Sequence, residues 1–194
     1  LAQRKHIPWF PADYLGAVVF QYLSETDKNH LFPLSRIRAE KPGTDYLYEK
    51  HTPKEIVEFY RIQAEAVWPG LEAFIKYAVQ DKQDFILEGY QIWPDLLAGL
   101  SEEMRKSIKP VFLYKADLGQ IEEGFKKNTR SGDWLIEKTK EEATFAKVAS
   151  MIVLYGERIV AEAEKHGMSL FDMDGDFEKN VEKVVETLLG SKRY

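Results

Sequence analysis

The segment Asp84-Phe85-Ile86-Leu87-Glu88-Gly89-Tyr90 is an apolar run that stops abruptly on an acid and a glycine. A buried strand has little use for a glutamate of its own, so its end presents Glu88 to whatever lies beyond the sheet. In open α/β sheets ligands bind past the carboxyl ends of the strands, where acids handle metal ions and phosphates. Asp13 holds a comparable place, just after the short aromatic segment at residues 7–10 and Pro11-Ala12. A carboxylate there can orient a hydroxyl or accept its proton. A hard carboxylate oxygen at Glu88 suits magnesium or one of its waters. Each acid also has a plainer use, Glu88 in a turn and Asp13 as a helix cap.

The elements that must position these acids can be read from periodicity and punctuation. Residues 7–10 read as a brief strand, and residues 14–23 as a helix, with Leu15, Val18, Val19, Tyr22 and Leu23 at helical spacing. Residues 24–52 mix Pro33, Pro42, Gly43 and scattered charges without a period, which predicts an irregular or partly helical insertion. Thr52, Pro53 and Glu55 have the order of an N-cap, a first-turn proline and the closing member of a capping box. That helix is expected to kink or restart at Trp68-Pro69-Gly70.

After the Glu88 strand come helical residues at 95–106, a strand at 110–114, a short helix at 117–127 and the basic link from Lys126 to Gly132. A long helix at 139–165 ends by Gly167, a strand follows at 168–171, and Phe177, Val181, Val184, Val185, Leu188 and Leu189 mark a closing amphipathic helix. Strands separated by helices predict a doubly wound α/β fold, a parallel sheet with helices on both faces, in a single domain over residues 1–194. In such a sheet Asp13, Glu88, Asp117 and Asp172 or Asp174 would share one edge.

Composition narrows the function classes. The chain has 194 residues, 44% of them hydrophobic, enough for one substantial core. A formal charge of −5 argues against the broad basic face of a nucleic-acid binder. With no cysteine there are no disulfides or thiolate metal sites, which fits a cytoplasmic location. No apolar run approaches the ~20 residues of a membrane span. The four histidines show no metal-ligand spacing, and Asp172 to Asp176 lacks the terminal glutamate of a calcium loop.

The strand followed by Glu88-Gly89, an aliphatic residue and Pro94 resembles the second acidic motif of the small P-loop kinases, especially 2-phosphoglycerate kinase-like proteins. The resemblance follows element order through nearly the whole chain. It implies a three-layer sandwich, ATP and Mg2+ as cofactors, and transfer of a phosphoryl group to a small hydroxylated or phosphorylated metabolite. On this resemblance Glu88 would hold the metal and Asp13 would act on the acceptor hydroxyl. Residues 126–138 would form a lid whose Lys126, Lys127 and Arg130 move onto the transferring phosphate. Arg130 is preferred because a guanidinium engages two phosphate oxygens at once.

Arg36, Arg38 and Arg61 fall in the region that houses acceptor recognition in similar kinases, with residues 24–52 as an acceptor-side insertion. Gln91 lies close to where 2-phosphoglycerate kinases tend to have a histidine, and the strand end carrying Asp174 would border the adenine. Arg61 equally suits a surface ion pair, and the basic link a solvated charge run. The family begins with a strand and a glycine-rich loop, whereas no G-x-x-x-x-G-K-[ST] occurs in this sequence and Leu1 opens what reads as the tail of a helix. The expectation is a first strand and phosphate loop upstream. Two alternatives use the same residues: a nucleoside or nucleotide kinase of the same fold, and a degenerate relative that binds a ligand or partner without catalysis. The partner expected is a small molecule, with neither nucleic acid nor membrane, and an oligomer remains open.

Overall fold

The computed structural model describes residues 1–127 and 134–190. After the one-turn helix α1 (Ala2–Lys5), strand β1 (Trp9–Pro11) pairs in parallel with β2 (Ile86–Glu88), setting Trp9 opposite Ile86 and Pro11 opposite Glu88. Strand β3 (Val111–Tyr114) pairs in parallel with β4 (Ser169–Asp172), setting Val111 opposite Ser169 and Tyr114 opposite Asp172. The expected alternation of strands and helices is present, and both ladders are parallel. The strands nevertheless form two separate pairs rather than one continuous sheet. Strands of three or four residues offer few ladder bonds, so packed helices secure each pair.

Helix α2 (Ala12–Tyr22) follows β1 directly, and Ala12 and Gly16 bury its inner face. Residues 24–52, expected to be irregular or partly helical, form three short helices: α3 (Glu25–Leu31), α4 (Pro33–Glu40) and α5 (Thr44–Lys50). Ser24 caps α3 by accepting from the backbone N–H of Asp27, and Pro33 occupies the first turn of α4. Leu34, Ile37, Leu47 and Tyr48 turn inward. Helices of two turns carry too few apolar positions to show a period, which is why they were hidden.

Helix α6 (Pro53–Gln80) begins with the capping box, Thr52 donating its N–H to Glu55 Oε2 at 2.8 Å while Glu55 donates its N–H to Thr52 Oγ1 at 3.3 Å. Of the kink or restart expected at Pro69, the restart does not occur, and α6 continues through it as one helix. Pro69 and Glu65 both lie on the exposed face, so the Glu65 carbonyl, which proline cannot satisfy, faces water instead of the core. Residues 95–106 split into α7 (Pro94–Ala98) and α8 (Glu102–Ser107), the second capped by Ser101. Then come α9 (Leu118–Lys127), α10 (Trp134–Lys138), α11 (Glu142–Lys165) and α12 (Phe177–Gly190).

Helix α11 ties the layers together, packing on α5, α6, α7, α9, β3 and β4. Asp45 of α5 holds its start, accepting from the N–H groups of Lys140 at 2.8 Å and Glu141 at 3.2 Å. Burial pushes the Asp45 carboxyl up, but these donors and the Thr144 hydroxyl outweigh it and hold the group below the usual carboxylate range. Farther along, the Tyr155 hydroxyl donates to the Tyr90 carbonyl at 2.8 Å, just past β2. The next residue, Gly156, lies against the end of β3: a Cβ there would stand 3.4 Å from Tyr114 Cβ and from the Lys115 carbonyl. The carboxyl ends of both pairs therefore meet on one turn of α11. The main core gathers Ile56, Ala64, Trp93, Val148, Met151 and Ile159, and a second cluster holds Ala12, Phe32, Val67 and Leu71. No helix among the described residues is long and apolar enough to cross a membrane.

The capping box gives a direct test. Thr52→Ala is expected to lower stability by about 1 kcal/mol, read as a lower urea midpoint at unchanged slope; an unmoved midpoint would show that the box contributes nothing.

Candidate functional site

The register that sets Glu88 opposite Pro11 brings it beside the start of α2, whose first turn carries Asp13. The chain leaves β2 through Gly89, at φ +154°. A Cβ on Gly89 would stand 2.5 Å from Gln91 Oε1 and 2.7 Å from Ala12 Cβ, distances no side chain tolerates. Passing this close to α2 lets Gln91 fold back under the rim. Its Nε2 donates to Asp13 Oδ1 at 2.7 Å, while its Oε1 is buried with no hydrogen-bond partner. Gln91 is 1% exposed, so Asp13 is held from below by a fixed amide and has its carboxylate open above.

Electrostatics at this rim follow from its crowding. Burial pushes the Glu88 carboxyl above its ordinary value, the charge of Asp13 adds to the effect, and a hydrogen bond from the Trp9 side chain opposes it. Beneath the two acids stand phenols from four places in the chain: Tyr48 on α5, Tyr60 on α6, Tyr90 after β2 and Tyr155 on α11. The ring of Tyr60 meets that of Tyr90 edge-on at 4.7 Å and that of Tyr155 at 6.2 Å. Burial raises all four phenols above their usual range, so each keeps its proton at neutral pH. Arg38 of α4 opposes the rise at Tyr48, Tyr60 and Tyr90 and donates a hydrogen bond to the Tyr60 hydroxyl, whereas Asp13 adds to the rise at Tyr60 and Tyr90.

Of the residues singled out in the sequence, Asp13, Glu88 and Gln91 therefore come together, and Arg38 acts on the phenols of Tyr60 and Tyr90 that also feel Asp13. Others are engaged elsewhere. Arg61 holds Asp95 through two 2.7 Å bonds and Glu65 through a third, and its guanidinium lies 4.9 Å from the Trp93 ring centre. Arg158 approaches the same ring at 5.3 Å and pairs with Glu58. Both arginines line a depression of about 310 Å³ together with Glu65, Asp95 and Glu162. Arg36 is exposed and faces Glu40 at 3.5 Å.

Lys127 pairs with Glu123 at 2.7 Å on the exposed face of α9, beside the exposed Lys126. Phe125 packs on Phe145, ten residues before Tyr155 and so roughly 15 Å back along α11. Arg130 lies outside the described residues. Asp174 accepts from the N–H groups of Ala116 and Asp117, both at 2.9 Å, and so clips the loops after β3 and β4 together. Asp117 in turn accepts from the N–H of Gln120 in the first turns of α9.

The tyrosines went unnoticed in the sequence because their partners are distant along the chain. Only Tyr90, next to Glu88-Gly89, had a local signal. No family model, curated protein or solved structure matches this chain.

Two outcomes follow from this geometry. Gly89→Ala is expected to cost about 2–4 kcal/mol, from backbone strain and overpacking together, visible as a lower urea midpoint. A carboxyl raised in the folded state leaves the folded protein holding more protons than the unfolded chain between the two pKa values, so stability falls as pH rises through that window. Removing the charge should help only above it. Glu88→Gln is expected to be more stable than the parent protein at pH 7, with the advantage gone at pH 3; equal gains at both pH values would refute this electrostatic account.

Proposed function

We propose that this protein is an ATP-dependent phosphotransferase acting on a small hydroxylated or phosphorylated metabolite. The observation that carries this reading is that the parallel register of β1 and β2 sets Glu88, at the end of β2, beside the first turn of α2, where Asp13 is fixed from below by Gln91. Phosphoryl transfer requires aligned reactants and neutralised charge more than covalent participation by the protein. Asp13, held by the Gln91 amide, orients the acceptor hydroxyl and takes its proton. Glu88 stands close enough to feel the charge of Asp13, so a cation between them relieves a repulsion already present.

Magnesium commonly rests on one or two carboxylates, with water and phosphate oxygens completing its shell. Glu88 and Asp13 fit that donor set, although no group of three or more potential ligands gathers among the described residues. Bound there, the ion would supply neutralisation of phosphate charge. The 194 residues contain no G-x-x-x-x-G-K-[ST], so on this reading the phosphate cradle has no counterpart among them.

The test is ADP release by the full-length gene product with Mg2+ and a panel of small hydroxylated acceptors. Asp13→Asn is expected to lower kcat by about 10²–10⁴-fold, the usual worth of a general base, while Arg36→Gln leaves it unchanged. Failure of the full-length protein to bind ATP with Mg2+ in calorimetry overturns the proposal.

A further inference from the structure

We propose that the outer face of helix α2 is the contact of a homodimer, in which α2 packs antiparallel on α2 of a second copy about a two-fold axis at Val18. This contact is independent of any phosphotransferase activity.

A helix on a protein surface ordinarily turns charged and polar side chains outward. Helix α2 does not. From Tyr14 to Leu23 the chain carries no charged residue, in a protein whose composition is 30% charged. The inner face of α2 lies on α6: a Cβ on the buried Gly16 would stand 3.6 Å from Val67, and Leu15 lies against Gly70. The outer face is left with Tyr14, Val18 and Tyr22, which are 64%, 52% and 88% exposed, and with the exposed Ala17 and Gln21 between them. Rings extend this surface beyond the helix. Tyr14 meets Phe10 edge-on at 6.4 Å, Phe10 stacks on Phe74 at 5.1 Å, and Phe74 meets Phe85 at 5.3 Å. Phe85 is itself exposed, as is Tyr77, which follows Phe74 by three positions on α6 and so shares its side of that helix.

Spacing, charge and area together select a second copy as the occupant. Tyr14, Val18 and Tyr22 stand four residues apart on one ridge of the helix, and the ridge reads the same in both directions. A two-fold contact pairs a surface with itself, so Val18 meets Val18 of the partner subunit and Tyr14 meets the partner's Tyr22. Ridges at this spacing are those that interdigitate in the commonest helix–helix packing. Two copies with a formal charge of −5 repel each other, so they approach closely only where charge is absent. A bilayer suits the face less well, because helices that lie on membranes are rich in Lys and Arg, and α2 has neither. At ~200 Å² for a whole aromatic side chain, the exposed parts of Tyr14, Val18, Tyr22, Tyr77 and Phe85 amount to roughly 600 Å² on each copy. A pair would then bury about 1,200 Å², the lower end of the range for stable complexes. Tyr14 adjoins Asp13, so the partner's Tyr22 also closes one flank of the rim.

Sedimentation equilibrium of the full-length gene product across micromolar concentrations tests the contact, and a species of twice the chain mass is expected. Val18→Glu and Val18→Lys each set like charges against each other at the axis and should weaken association about a hundredfold or more. Their circular dichroism should match the parent, because Val18 is half exposed. Mixed in equal amounts, the two variants should dimerise again, since opposite charges then meet. Should a charge at Val18 disturb folding, Tyr22→Ala makes the same test and should weaken association about tenfold or more. Within the 194 residues there is no cysteine, so Val18→Cys should give a covalent dimer on mild oxidation. A monomer at every concentration, a dimer untouched by Val18→Glu and Tyr22→Ala, or a mixture of folded charge variants that stays monomeric overturns the proposal. Flotation of a monomer with phosphatidylcholine vesicles overturns it as well and assigns the face to lipid.

Discussion

At Gly89 the backbone runs so close to Ala12 that no side chain fits between them, and the arrangement of the rim follows from that contact. A larger residue would force the segment away from α2, and Gln91 would lose its reach to Asp13. Glu88 would then no longer share a field with Asp13, and Tyr90 would leave its place against Tyr60. One missing Cβ thus sets the spacing of an acid pair, an amide and a phenol. The energy involved is modest beside the whole core, but it is concentrated where a displacement of one ångström separates a hydrogen bond from none.

The polar groups beneath the rim are held by different means from the hydrophobic core around them. Trp93 is fully buried, and Arg61 and Arg158 both approach its ring, each tied to an acid of its own. That arrangement consumes cations and anions together and leaves a matched surface. Arg38 acts on a different set of groups, opposing the upward push of burial on the phenols of Tyr48, Tyr60 and Tyr90 and donating a hydrogen bond to Tyr60. Low dielectric surroundings strengthen every dipole aimed at such a place.

Local signals were read well from the sequence, and nonlocal ones were not. The Thr52–Glu55 box, the end of β2 at Glu88 and the long helix closing near Gly167 all depend on residues within a few positions of each other. Between Ser24 and His51 the sequence allowed partial helix without bounds, because each of the three helices is too short to display a period. Pro69 misled for another reason: its cost depends on whether the orphaned carbonyl meets water, which only the packed structure reveals. For Arg61 the sequence left an acceptor contact and an ion pair both open, and the partner that fills its fork, Asp95, lies 34 residues away. Asp13, Glu88, Gln91 and Arg38 were each named, but the tyrosines near them come from three helices and the loop after β2.

Adjacent residues on a helix project about 100° apart, and α11 uses two such neighbours for two separate attachments. Tyr155 grips the chain beyond one strand pair while Gly156 is wedged against the end of the other. Rolling the helix about its axis cannot ease one attachment without disturbing its neighbour. The rod therefore works as a mechanical linkage, so a disturbance felt at β3 is transmitted to the loop that carries Tyr90.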